Sequence, residues 1–169
     1  EIKSKLYELN RVTLDFFKNN LFLNNADSKI ALDYVLNKRK LSNETIAKFE
    51  IGYAPNSWDS LYSYLVKDKQ YQQELIVASG LFIPRESQNS YYDRFRNRVI
   101  FPIYNEKNNV IGFGGRTLTN EDAKYINSPE TLIFNKGFNL YGLNFAKDKI
   151  KELDYVILTE GYLDVISAH

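Results

Sequence analysis

The run Tyr92-Asp93-Arg94-Phe95-Arg96-Asn97-Arg98 places three arginines at alternate positions and leads straight into the apolar residues 99–103. A strand repeats its side-chain direction every two residues. An extended conformation therefore sends Arg94, Arg96 and Arg98 out of one face, points Phe95 the other way and anchors the strand on the residues that follow. Such a segment needs a sheet to bury its apolar half and an anion or water for its charged half. Guanidinium forks match phosphate oxygens bidentately, and a buried strand holds them at little entropic cost, so nucleic acid or nucleotide is the partner first implied.

The residues before this run have helical periodicity. Ile2, Leu6, Leu9, Thr13, Phe16 and Phe17 recur at three- and four-residue steps and predict an amphipathic helix to about Leu23. Asp27 or Ser28 is expected to cap a second helix, and Ser42 or Asn43 a short third around Ile46. The stretch Gly52-Tyr53-Ala54-Pro55-Asn56 breaks the pattern. Ser57 then caps a helix carrying Trp58, Leu61, Tyr62 and Leu65, and a last helix ends at Gly80. The aromatic residues here read as core rather than as a ligand platform.

After Gly80 the period changes from helix to sheet. Residues 99–104, a polar turn over 105–109 and residues 110–118 predict a β-hairpin. Its second strand contains Gly112-Phe113-Gly114-Gly115-Arg116. Glycines weaken a strand unless it bulges or something approaches its backbone, and both readings stand. Arg116 directly after them favours a phosphate beside exposed amides. The spacing is not that of a dinucleotide-binding loop, and no helix follows. Lys124 and Lys136 lie in polar loops, where a lysine is ordinarily a solvated charge, but they follow the arginine run closely.

Composition narrows the classes. With 44% hydrophobic and 15% aromatic residues, the 169-residue chain has the means to bury a core. A net charge of +1 is too small for general polyanion binding, yet five of the seven arginines fall between Arg85 and Arg116. No apolar run approaches the ~20 residues that cross a bilayer, and no signal-peptide core follows the N-terminus, so a soluble cytoplasmic protein without membrane partners is expected. With no cysteine and one histidine, disulfides and a Cys/His zinc site are excluded, and any metal must be held by carboxylates.

The apolar run Tyr155-Val156-Ile157-Leu158-Thr159 predicts a parallel strand buried on both faces. Glu160 stands at its carboxyl end, where open α/β sheets place ligands, and Gly161 turns the chain into a helix bearing Asp164. Two carboxylates make an incomplete magnesium site. A single such strand cannot bury its own faces, so residues 151–169 read as the opening of a domain cut short.

Taken in order, the arginine run, the glycine run ending at Arg116, Lys124-Tyr125-Ile126-Asn127-Ser128-Pro129-Glu130-Thr131, Phe134-Asn135-Lys136-Gly137, Leu140-Tyr141-Gly142 and Glu160-Gly161-Tyr162-Leu163-Asp164-Val165 resemble the successive motifs of bacterial DnaG-type primases. The resemblance is strong from Gly52 onward and weak through the first 40 residues. It implies an α+β fold. Residues 1–150 would form the N-terminal subdomain of the RNA polymerase domain, helical over 1–80 and mainly β over 81–140, and residues 151–169 the first strand and helix of a Toprim domain.

The implied activity is metal-dependent nucleotidyl transfer that copies single-stranded DNA into short RNA primers. Glu160 resembles the Toprim glutamate, a general acid/base or metal-proximal carboxylate, and Asp164 its neighbour. Arg94, Arg96, Arg98, Arg116, Lys124, Asn127 and Lys136 match positions that face template or nucleotide. Lys48 stands where many relatives have arginine, which keeps the charge and loses the fork. Template DNA, ribonucleoside triphosphates and Mg2+ or Mn2+ are implied as partners and cofactor. A zinc module and a helicase-binding region would lie outside this chain. The remaining magnesium ligands are expected beyond His169, so the chain alone is expected to be inactive. Two alternatives stay open. One is a binding module in which Tyr91, Tyr92, Phe95 and Phe113 stack bases. The other is a different Toprim enzyme, a topoisomerase or nuclease.

Overall fold

The computed structural model describes residues 1–86, 90–120 and 123–169. Helix α1 (Ile2–Leu21) buries Leu6, Leu9, Thr13, Leu14, Phe17 and Leu21 along one stripe, as its periodicity requires. Asn25, not Asp27 or Ser28, caps α2 (Ala26–Asp33). Its side chain accepts from the Ser28 N–H at 2.8 Å, and Ser28 Oγ accepts from the Asn25 N–H at 2.9 Å, so the predicted cap is the reciprocal half of a capping box. The helix passes into a π-helical turn (Tyr34–Lys38), then α3 (Asn43–Lys48) capped by Ser42, and strand β1 (Gly52–Ala54). The chain then repeats itself, with α4 (Ser60–Ser63), a second π turn (Tyr64–Asp68), α5 (Gln73–Ala78) and strand β2 (Phe82–Pro84).

The two units share one backbone pattern. The Arg39 and Lys69 N–H groups donate to the carbonyls of Tyr34 and Tyr64, both at 3.0 Å. Leu41 and Tyr71 donate to Val35 and Leu65 at 3.1 and 3.0 Å. Lys40 and Gln70 then take left-handed φ values of +56° and +59°. The second unit differs at its start. Ser57 does not cap α4; the open Leu61 and Tyr62 N–H groups donate to the Asp93 carboxylate at 2.9 and 3.0 Å. A long-range side chain does what a local one was expected to do. Burial pushes the Asp93 carboxyl up to about 6, against the pull of these two donors.

Strands β3 (Tyr91–Asp93), β4 (Arg98–Tyr104), β5 (Val110–Thr117) and β6 (Tyr125–Asn127) follow. A four-stranded antiparallel sheet has the order β1-β4-β5-β6, and β2 pairs with β3 in a separate ribbon. The predicted hairpin is β4–β5, with a register shift at Ile103/Tyr104. Alternation divides the sheet's contacts. Ile100 and Phe113 join Leu14, Phe17 and Phe95 in the core under α1, whereas Val99 and Phe101 join Tyr34, Phe49 and Ile166 on the other face. The fold is α+β, as expected.

A short 3-10 turn (Lys136–Phe138), α6 (Leu143–Leu153) and α7 (Tyr162–Ala168) complete the chain. Helix α6 runs through residue 150, where the sequence suggests a boundary. The buried strand expected over residues 155–159 does not form. Tyr155, Val156, Ile157 and Leu158 are irregular and 53–73% exposed. A parallel strand needs neighbours for its ladder and its two faces, and no described strand lies beside this one. Among the described residues, no helix is long and apolar enough to cross a membrane.

Candidate nucleic-acid interface

The arginine run is not one strand. Asn97, at φ +48° and accepting from the Tyr53 hydroxyl at 2.8 Å, turns the chain between β3 and β4, so the three guanidinium groups diverge. Arg94 Nε donates to the Gly80 carbonyl at 2.8 Å, and burial lowers its pKa. Arg98 is buried in the sheet, donating to the carbonyls of Gly115, Ala123 and Lys124 at 3.1–3.2 Å. Only Arg96 is placed for a ligand. Its Nη1 donates to the Asp93 carbonyl at 2.6 Å, which fixes the fork against the turn.

Arg96 lies on a ladder of rings. Its guanidinium carbon is 4.3 Å from the centre of Trp58 and 5.2 Å from that of Tyr92, which pack edge-on at 5.5 Å. Arg85 meets the Tyr92 ring at 5.5 Å. Trp58 is 59% exposed, so the ladder opens to solvent. Alternating π faces and fixed cations suit unstacked bases and the phosphates between them. Of the four rings proposed from sequence, Tyr92 alone belongs here. Phe95 and Phe113 are core, and Tyr91 stacks on Tyr62 at 6.1 Å. Trp58 was missed because it resembles the first apolar residue of a helix; its place after Pro55-Asn56-Ser57, before the helix begins, is the signal that it is free.

The glycines of β5 admit rings, not phosphate. A Cβ on Gly114 would stand 2.5 Å from the Tyr162 ring, and one on Gly115 2.7 Å from Phe95. Tyr162 instead stacks on Phe101, centroids 5.3 Å apart, and donates to Asn127 Oδ1. Burial raises the Tyr162 hydroxyl to about 12. Arg116 emerges on this same face opposite Tyr125, with its guanidinium 4.7 Å from the Tyr34 ring centre. The amides expected to meet a phosphate are engaged in the ladders with β4 and β6.

The other candidates are scattered. Lys124 is exposed beside edge strand β6, and its carbonyl accepts from Thr117 N–H at 2.9 Å. Lys136 is exposed on the 3-10 turn, its N–H donating to Glu130 at 2.8 Å. Lys48, in the last turn of α3, lines a cleft of about 570 Å³ with Arg11, Glu50 and Tyr104. Glu160 is exposed before α7, and Asp164 sits in its first turn. Among the described residues no three carboxylates or histidines converge on a metal position. The two carboxylates do not by themselves satisfy a hexacoordinate ion.

The family described as the DNA primase catalytic core, N-terminal domain, matches residues 16–147. The DNA primase of Synechococcus elongatus is 42% identical over 99% of this chain, and that of Clostridium acetobutylicum 45% over 98%. This chain spans about a quarter of their length, 24% and 26%. Among solved structures, the DnaG primase catalytic domain bound to ssDNA superposes with a TM-score of 0.84 at 40% identity, covering 98% of this chain and 52% of that one. The RNA polymerase domain of Mycobacterium tuberculosis primase DnaG gives 0.88 at 33%, covering 98% and 53%. The chain belongs to the family of the N-terminal domain of the DNA primase catalytic core.

Proposed function

We propose that this chain is the template-handling part of a DNA primase that lays short RNA primers on single-stranded DNA. The observation that carries this reading is the exposed ladder of Arg85, Tyr92, Arg96 and Trp58. Arg96 supplies a fixed phosphate fork and Trp58 a stacking surface for a base, whereas Lys124 and Lys136 add mobile charges and Lys48 a cation at the opposite cleft. Arg94 and Arg98 are spent on the protein's own carbonyls and serve its stability rather than the ligand. Asn127, tied to Tyr162, orients the approach to α7.

Residues 151–169 open the Toprim portion. There Glu160 and Asp164 are the carboxylates that would contribute oxygens to Mg2+ or Mn2+ and exchange protons with the reacting groups. Among the described residues no third carboxylate or histidine joins them, and two carboxylates leave a hexacoordinate ion incomplete. A metal ion, when bound, neutralises phosphate charge and lowers the pKa of the attacking hydroxyl.

The test is anisotropy of labelled single-stranded DNA across a salt series. Arg96→Ala should reduce the slope of log affinity against log salt by about 0.7, one phosphate's share on a single strand. Trp58→Ala should weaken binding about tenfold at unchanged slope, since stacking releases no counterions. Three indistinguishable titrations would remove the ladder from the interface.

A further inference from the structure

The ladder is assembled from two stretches distant in sequence, Trp58 ahead of α4 and Tyr92 with Arg96 around the end of β3, and one buried residue holds both. Asp93 is 2% exposed, and each of its polar groups is engaged. Its N–H donates to the Trp58 carbonyl at 2.8 Å, and its carbonyl accepts from Arg96 Nη1 at 2.6 Å. Its two carboxylate oxygens accept from the Leu61 and Tyr62 N–H groups at 2.9 and 3.0 Å.

A helix cap is ordinarily local. Ser42 accepts from the Thr45 N–H at 3.1 Å at the start of α3, and Asn25 caps α2 in the same way. Ser57 is as near in sequence to α4, yet its hydroxyl accepts from the Asp59 N–H at 3.4 Å instead. An aspartate in the interior is the harder solution. Desolvation raises its carboxyl to about 6; the two amides and Arg96 oppose the rise, and Asp59 ahead of α4 adds to it. A neutral local side chain would cap α4 as well. It would not reach the strand that leads to Arg96.

We propose that Asp93 is the positioning residue of the template ladder, holding α4 and the Trp58 carbonyl to the turn that bears Arg96 and so presetting the stacking ring against the phosphate fork. The inference rests on the primase reading above. Asp93 is buried and acts through Trp58 and Arg96, by raising the fraction of molecules whose ladder is assembled before the strand arrives. The ionised carboxylate accepts from both amides. On protonation one oxygen becomes a donor facing an N–H, one cap bond is lost and the arrangement loosens. Template affinity is therefore full above a pH of about 6 and falls below it.

The experiment uses the full-length protein carrying this sequence, with labelled single-stranded DNA titrated at constant ionic strength from about pH 7.5 to about pH 5. The variants are Asp93→Asn, Trp58→Ala, Arg96→Ala and the pair Asp93→Asn with Trp58→Ala, each checked by circular dichroism to be folded. At neutral pH Asp93→Asn should bind about fivefold more weakly, the population lost with one cap bond. Wild type should weaken through an inflection near pH 6 that Asp93→Asn lacks. His169, packed on Phe49 and Phe145, is present in both proteins and cancels in the comparison. In the Trp58→Ala background Asp93→Asn should cost less than fivefold, because part of what it positions is gone. A folded Asp93→Asn that matches wild type across the range, or an equal cost in both backgrounds, overturns the positioning role, while Trp58→Ala and Arg96→Ala still report on the ladder. Wild-type affinity that rises below pH 6 overturns it too, since the carboxylate then acts by repelling phosphate. Should Asp93→Asn fail to fold, a wild-type profile without the inflection has the same force. Wild type that binds no DNA overturns the primase reading and the positioning role together.

Discussion

Arg96 and Arg98 are two residues apart and live in different media. Arg96 lies over an exposed indole, whereas Arg98 is 5% exposed and hydrogen-bonded to the sheet's own carbonyls. Arg98→Met would bury no donor for the Gly115 and Ala123 carbonyls, while the Lys124 carbonyl keeps the Thr117 N–H. It should cost about 3 kcal/mol, seen as a lower urea midpoint, while the folded protein keeps its DNA affinity. Arg96→Ala should do the reverse. The alternate spacing was legible in the sequence, but the left-handed turn at Asn97 was not, because asparagine tolerates that conformation without requiring it. At Gly112, Gly114 and Gly115 the sequence left a bulge and a close approach both open and favoured a phosphate; the close approach forms, but with side chains. Their visitors, Phe134, Tyr162 and Phe95, come from elsewhere in the chain, and nothing local names them.

At the scale of elements, the two α–π–α–β units hold one backbone path with little shared sequence. Between residues 34–54 and 64–84 only Tyr34/Tyr64, Glu44/Glu74 and Ile46/Ile76 are identical at equivalent places, so the repeat was hidden until the hydrogen bonds exposed it. Each unit carries a non-glycine residue at positive φ after its π turn, Lys40 and Gln70. Lys40→Gly and Gln70→Gly should each raise stability by about 0.5 to 1 kcal/mol, read as a higher urea midpoint at unchanged m value. The helices before Gly80, α7 and the β4–β5 hairpin were legible in the apolar pattern, whereas α6 was not read from it. The strand over 155–159 was predicted on the same grounds and does not form, because hydrophobic pattern proposes a strand and only a neighbour completes it.

Across the molecule, Glu50 joins parts distant in sequence. Its carboxylate receives both Nη groups of Arg11 at 3.0 Å, Lys18 at 2.8 Å and the Tyr104 hydroxyl. Burial alone would push this carboxyl up; the hydrogen bonds outweigh burial and hold it at about 2. The folded-state value is the depressed one. Its contribution is therefore present above pH 4.5 and lost as pH falls towards 2, amounting to roughly 3 kcal/mol at most. Urea unfolding between pH 6 and 3 should show this acid limb, and Glu50→Gln should flatten it. The α+β class was legible in the change of period at Gly80, whereas this cross-link between α1, the end of α3 and β4 was not, since it is set by packing. Trp58 is the chain's sole tryptophan. Its emission is therefore an unlabelled optical reporter standing on the ladder itself. A base stacking there should quench it, while unfolding, which little changes the surroundings of an indole already 59% exposed, should barely shift its colour.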